Sequence, residues 1–436
     1  MSSDASISLP PLDLREHRLD NGLRVLLNPD PRLPLVAVNL WYHVGSKNEE
    51  PGKTGLAHLF EHMLFQGSQH VDTNGHFAWV QQAGGVANGS TWYDRTNYYE
   101  TLPSHWAELG LWLESDRMGF LLPALTDEKL ENQRSVVMNE RKERIDNQPY
   151  GRGFERLHEL LYPEPHPYHW PVIGYMDDIA GATREDVETF FRTYYAPGNA
   201  ILTLAGDFDP DRALELVERY FGPLENGPEP PRIEIADIPV EGPIWEEQPD
   251  TVDLERLYLG FRGPGWADEA WHATDLLTTL LGSGKSSPLF HDLVYEREIA
   301  QSIGCWSLPL EECSTVAVVA TIRSESSAEE VYEAVWEHLE RIGDEPCEAS
   351  DLERARNGTL TSLFGGWEQL DQRADALNQA ALYRGDPHTL EQEPTRYLAV
   401  TAESILETAG RIFRSEGEAA VTVVPDDSDR TDEGAP

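Results

Sequence analysis

Two apolar patterns alternate along the 436 residues: short runs rich in β-branched and aromatic side chains, and longer stretches with apolar positions three to four apart. The first predicts strands, the second amphipathic helices. Asn21-Gly22 lies between β-prone runs and predicts a hairpin over 17–27. The unbroken apolar run 35–42 reads as a central strand, and 85–102, rich in Thr, Tyr and Trp, as extended chain. Helical spacing covers 54–66, 76–82, 104–120, 127–144, 152–160 and 184–194, and a further apolar strand spans 200–206.

Around 224–250 the pattern lapses. Pro223, Pro228, Pro230, Pro231, Pro239, Pro243 and Pro249 fall in a stretch also rich in Glu. Proline fixes φ and lacks an amide donor, so this segment predicts a semi-rigid linker. Beyond it the order recurs: a strand near 257–261, helices near 271–281 and 288–297, strands near 299–306 and 315–322, and helices at 328–342, 350–363 and 369–380. Each half closes with a helix and an apolar strand, the second at 419–424. The expected fold is α+β, with two similar α/β domains at 1–225 and 251–425. Each is a mainly antiparallel sheet packed with helices; the linker is 226–250, and 426–436 is an acidic, disordered tail.

Composition narrows the function more than the fold. Thirty-four Lys plus Arg against seventy-seven Asp plus Glu give a net charge of −43. Such a surface repels nucleic acid and anionic lipid. No apolar run approaches the ~20 residues of a membrane span, and the opening residues lack the features of a secretory signal; the expected location is the cytoplasm, or the periplasm if a signal has been removed. Cys305, Cys313 and Cys347 show no paired spacing and read as reduced thiols. Only five lysines occur, and the acidic residues spread along the whole chain. That distribution raises the hypothesis of adaptation to high salt, where a Debye length of about 3 Å at 1 M screens self-repulsion.

The sharpest chemical feature is Gly55-Leu-Ala-His58-Leu-Phe-Glu61-His62-Met-Leu-Phe65. On a helix, His58 and His62 project from one face a turn apart. Two such imidazoles can ligate one zinc ion, and Glu61 precedes the second: this is the H-x-x-E-H arrangement. A third protein ligand is needed, leaving one position open. Glu61 is then placed to take a proton from water activated by the metal. For the third ligand, the helix over 127–144 offers Glu131, Glu140 and Glu143. Helical phase alone does not decide among them, although Glu140 follows the apolar run Val136-Val137-Met138. His70, His76, His158, His166 and His169 lack paired spacing and read as surface or structural residues. Gly284-Lys285-Ser286 is not a phosphate loop, because Thr279 stands where the first glycine is required.

The helix 55–65, the segment Gly84-Gly-Val-Ala-Asn88-Gly89-Ser-Thr91 and the helix 136–144 followed by Asn147-Gln-Pro-Tyr-Gly151 resemble the pitrilysin-type zinc peptidases, in particular their mitochondrial-processing-peptidase-like branch. The resemblance implies Zn²⁺ held by His58, His62 and Glu140, with Glu61 as general base. It implies that Asn88 contacts substrate backbone on a strand that accepts the peptide as an added strand; Gly89 replaces the usual Ala. Gln133 stands where many members carry a second glutamate. In the second half, Arg297 matches a substrate-binding Arg, but Gln301 replaces the expected Tyr and Pro288 falls where an Arg is common. In this branch a zinc-bearing subunit pairs with a related subunit lacking zinc. The expectation is therefore a zinc metalloendopeptidase cleaving short unfolded peptides in an enclosed chamber, as the zinc-bearing partner of a heterodimer. The alternatives are a homodimeric peptidase and a non-catalytic binding subunit.

Overall fold

The computed structural model describes residues 10–426 except 234, 236 and 237. In the first half of the chain the strands are β1 (Arg15–Arg18), β2 (Arg24–Pro29), β3 (Leu35–Tyr42), β4 (Val86–Thr91), β5 (Thr96–Pro103) and β6 (Ala200–Gly206). The helices are α1 (Leu56–Met63), α2 (Gly75–Gln82), α3 (Ala107–Phe120), α4 (Asp127–Arg141), α5 (Gly153–Leu161), α6 (Met176–Gly181), α7 (Arg184–Tyr194) and α8 (Pro210–Phe221). A π-helical turn, Lys142–Asp146, continues α4. The second half contributes β7 (Ile244–Asp250), β8 (Arg256–Pro264), β9 (Ala300–Pro309), β10 (Cys313–Ile322) and β11 (Ala419–Pro425). Its helices are α9 (Trp271–Gly282), α10 (Pro288–Phe290), α11 (Ala328–Asp344), α12 (Ala349–Glu368), α13 (Leu370–Tyr383), α14 (Glu393–Ala399) and α15 (Ala402–Ile412).

Two sheets result, ordered β1-β2-β6-β3-β5-β4 and β7-β11-β8-β10-β9. Setting aside the hairpin strand β1, they share one topology. In both, a single parallel pair (β2 with β6, β7 with β11) joins an otherwise antiparallel sheet. The fold is α+β with two similar α/β halves, as the recurrence of elements predicts. Among the described residues, no helix is long and apolar enough to cross a membrane.

The compact units do not follow the contiguous division at 225 and 251. One unit takes the described residues of Met1–Arg141, Trp170–Ile235 and Leu363–Glu393; the other takes those of Lys142–His169, Ala236–Ser362 and Pro394–Pro436. Each sheet therefore carries one helix encoded in the opposite half. Helix α13 lies on β3 and β6, where Ala37, Ala205 and Ala374 form a small-residue contact and Asn378 donates to the Asn39 carbonyl at 3.1 Å. Helix α5 lies on β8 and β11.

Part of the expected linker is also strand. Ile244–Asp250 pairs in parallel with β11 along its whole length. Pro249 is accommodated because β7 is an edge strand, where an absent amide leaves no ladder bond unmade. The acidic tail, apart from Asp426, lies outside the described residues. The three cysteines are free thiols, and Cys305 is buried, which pushes its pKa up to about 12.

In the first unit the main core lies between one face of the sheet and helices α1, α3, α4, α7 and α8. It is built from residues such as Val38, Leu40, Tyr42, Phe60, Val137, Val187, Leu202 and Val217.

Candidate metal centre

Helix α1 is short, and its start is fixed by three contacts. Gly55 adopts φ 85°, and a β-carbon there would lie 2.6 Å from the Ile173 carbonyl oxygen, so only glycine lets the helix begin against this loop. The buried Glu49 carboxylate accepts from the amides of Gly55 (2.8 Å) and Ala57 (2.7 Å), satisfying donors that the first helical turn leaves open. Burial pushes the Glu49 pKa well up; these amide bonds oppose it. Asp178 accepts from the amide and hydroxyl of Thr54, one residue ahead.

Five of the eight residues of α1 are buried: Leu56, Ala57, Leu59, Phe60 and Met63. The three half-buried ones are His58, Glu61 and His62. The apolar spacing that docks the helix thus turns its polar stripe toward α4. There Arg141 anchors the helix end by donating to the Gly174 carbonyl at 2.9 Å. Glu140 Oε2 lies 3.2 Å from His62 Nε2 and 3.8 Å from His58 Nε2. One ligand atom from each of the three side chains falls within 4.8 Å of the others. Tetrahedral bonds of about 2.0–2.2 Å put two zinc ligands roughly 3.3–3.5 Å apart. Two imidazoles and one carboxylate at these distances can therefore hold zinc and leave a fourth position open.

Of the other carboxylates on α4 and its π-turn, Glu131 is exposed and pairs with Arg134, and Glu143 is exposed. Gln133 is buried, two turns before Glu140.

Glu61 is oriented from the neighbouring strand: its Oε2 accepts from the Thr91 hydroxyl at 2.7 Å. Burial raises its pKa, offset in part by that bond and by charge on His62 and Arg95. Gly89 makes the approach possible. A β-carbon at 89 would lie 3.2 Å from Glu61 Cγ, Phe65 Cε2 and the Asn97 carbonyl oxygen.

Among the described residues, strand β4 is the free edge of its sheet, pairing only with β5. Asn88 is exposed on it, and its Oδ1 accepts from the Gly89 amide at 2.9 Å. Arg297 belongs to the other unit, where it is exposed and pairs with Asp292 at 3.0 Å and with Glu337. Gln301 is exposed near the start of β9. The structure thus brings His58, Glu61, His62 and Glu140 together, with Asn88 on the adjoining strand. It gives Arg297 carboxylate partners of its own.

Sequence reasoning missed the supports. Thr91 lies three residues beyond Asn88 in the same segment, but nothing local signals a bond to a residue thirty positions earlier. Glu49 lies outside any capping spacing for α1, so its role emerges only from the fold. His76 and His158 are buried, as structural residues would be: Arg117 donates to His76 at 3.0 Å, and His158 contacts the Thr315 hydroxyl at 3.3 Å.

Residues 24–167 match the family model described as Insulinase (Peptidase family M16), and residues 181–359 match the one described as Peptidase M16 inactive domain. The zinc protease PqqE of Helicobacter pylori is 29% identical over 419 residues, spanning 93% of this chain and 92% of that protein. A probable mitochondrial-processing peptidase subunit beta of Arabidopsis thaliana is 23% identical over 432 residues, spanning 95% of this chain and 78% of that protein. The crystal structure of a protease from Helicobacter pylori superposes with a TM-score of 0.90 at 28% identity, covering 95% of this chain and all of that one. The chain belongs to the peptidase M16 family, the pitrilysin and insulinase type.

Proposed function

We propose that this chain is a zinc-dependent metalloendopeptidase acting on short, unfolded peptides. The observation that carries the reading is the convergence of His58, His62 and Glu140 beside Glu61. In it, His58, His62 and Glu140 hold Zn²⁺, which would act as a Lewis acid, acidifying water and polarising the scissile carbonyl. Glu61, held by Thr91, accepts the proton and returns it to the leaving amine. The free edge of β4 takes the peptide as an added strand, with Asn88 on its backbone; recognition through backbone bonds suits extended chains of varied sequence.

In this reading the chain is the zinc-bearing member of a heterodimer, and a related subunit without zinc completes an enclosed chamber. Arg297 is already paired with Asp292 and Glu337, and Gln301 offers no phenol, which supports an outside source for the assisting residues. A homodimer is the second reading. A non-catalytic binding subunit is the third; it takes its support from the match of 181–359 to an inactive domain. Cytoplasmic location remains part of the proposal.

The test is cleavage of a quenched peptide by the purified chain, with and without chelator, alone and with a co-encoded related chain. Chelator-sensitive cleavage that rises with the second chain supports the first reading. Full activity alone moves the choice to the homodimer. One zinc per chain without cleavage under any condition leaves the non-catalytic role.

A further inference from the structure

Strand β4 separates two environments. Gly89 and Thr91 face α1 and Glu61, whereas Ser90 faces the opposite side of the sheet, where α13 lies. On that side is a cavity of about 340 Å³ between the ends of β3, β4 and β5 and one stripe of α13. Ser90, Arg95, Asn97 and Tyr99 form the sheet wall, and Asp371 and Asp375, one helical turn apart, form the other. All of these residues belong to the same unit as the candidate metal centre.

The charges in the cavity are left uncancelled. Asp375 Oδ1 accepts from three neutral donors, Trp41 Nε1 at 2.8 Å, Asn97 Nδ2 at 3.0 Å and Asn39 Nδ2 at 3.2 Å. Those bonds fix the carboxylate without neutralising it. Among the described residues, neither Asp371 nor Asp375 pairs with a cation. Arg95 donates to the Ser90 carbonyl at 2.9 Å and to its hydroxyl at 2.6 Å, and lies 5.2 Å over the Trp41 ring. Two carboxylates against one guanidinium leave the cavity negative by one charge. An incoming carboxylate would meet two like charges; an incoming ammonium or guanidinium would meet two carboxylates able to accept from it.

A peptide strand added at the β4 edge sits about 4.8 Å away, and its side chains alternate between the two faces. Every second one therefore points to the α13 side. Tyr99 ties the cavity to that edge, because it stands directly opposite Asn88 in the β4–β5 ladder. We propose that this cavity is a specificity pocket for a Lys or Arg side chain of the bound peptide, with Asp371 and Asp375 as its recognition residues. The pocket rests on the strand-addition part of the functional reading, but it needs neither the metal nor turnover.

The test is binding to the full-length Glu61→Gln protein, read by fluorescence polarisation. The probes are labelled, unstructured decapeptides in which each position in turn carries Lys, Gln or Glu. The expected result is a position, or alternate positions, where Lys binds about tenfold more tightly than Gln, the scale of one charge-assisted contact. That ratio should fall to within about twofold in Asp371→Asn and in Asp375→Asn, and should shrink as salt rises. Among the described residues Asp371 has no hydrogen-bond partner that its substitution would lose, so it keeps the test valid if Asp375→Asn unfolds. Equal Lys and Gln affinities at every position, or a Lys preference that survives both substitutions, overturns the pocket. A Glu preference also overturns it and assigns the cavity to Arg95. If the native zinc-loaded chain cleaves nothing while the Lys ratio holds, the peptidase reading fails and the pocket stands. If none of the peptides binds, strand addition and the pocket fall together.

Discussion

The two sheets share a strand order, with β1 set aside, but differ in what they carry between their equivalent second and third strands in chain order. Between β3 and β4 runs α1, whose half-buried positions are His58, Glu61 and His62. Between β8 and β9 runs α9, where nine of twelve residues are buried and the sequence Trp-His-Ala-Thr-Asp-Leu-Leu-Thr-Thr-Leu-Leu-Gly offers a single histidine. His272 there is buried and sits edge-on to Tyr397, with ring centroids 4.9 Å apart. The topology is thus indifferent to the chemistry. A helix docked through its apolar face keeps its place whether its remaining positions are ligands or more core. Site and scaffold are separable, and a few side chains on α1 and α4 make the whole difference.

The strongest way to break that asymmetry is to remove one histidine from each side. His62→Ala should lower zinc from one per chain to near zero, measured by elemental analysis, and abolish peptide cleavage. His272→Ala should leave the zinc content unchanged. Loss of metal from the second variant would mean that the halves are not divided as described.

Next in size is Glu61→Gln, which keeps the three candidate ligands. Turnover should fall by about 10²–10⁴-fold, the usual worth of a general base, at full zinc occupancy. Cleavage at the parental rate would remove Glu61 from the chemistry.

A third contrast concerns stability in the unit without candidate ligands. Burial lowers the His158 pKa to about 3, helped by charge on His166 and His169. The native state holds it neutral, whereas the unfolded chain takes up a proton below about 6.5. Its contribution is therefore complete above about pH 6.5 and is lost as the pH falls toward 3. The loss summed across that window should reach at most about 5 kcal/mol. Urea unfolding of the parent and of His158→Gln from pH 7 to 4 checks this; equal pH dependence in the two would dismiss His158 as a source.

The smallest effect is expected from Gly89→Ala. Three contacts at 3.2 Å ask for shifts of a few tenths of an ångström around Glu61, so kcat/KM should fall by a few-fold with zinc content intact. A loss as large as that of Glu61→Gln would show that the spacing of β4 from α1 is far stricter than the geometry suggests.

What the sequence disclosed follows from how local each determinant is. Helix α7 reads true to the residue because Thr183 and Asp186 form a capping box at its start. Strands β3 and β6 read true because they are buried on both faces and appear as unbroken apolar runs. His58 and His62 follow from one helical turn, but Glu140 needed the family resemblance, since phase alone allowed Glu131 and Glu143. Helix α8 went unassigned although Asp209 and Pro210 mark its start. Strand β7 was unreadable in principle. Its partner β11 lies some 170 residues away, and Pro249 argues against a strand anywhere except an edge. The placements of α5 and α13 were equally hidden, because helical periodicity says nothing about which sheet a helix will cover.

That exchange of helices bears on the order in which the chain is made. The sheet carrying the candidate ligands is complete in sequence once Gly206 has been synthesised, yet its α13 cover ends at Tyr383. At about 5–20 residues per second the ribosome needs roughly another ten to thirty-five seconds to supply it. During that interval one face of the sheet is open, and a chain truncated at the proline-rich stretch would never close it. Maturation of the unit that carries the candidate ligands is in this sense timed by the half of the gene that encodes none of them.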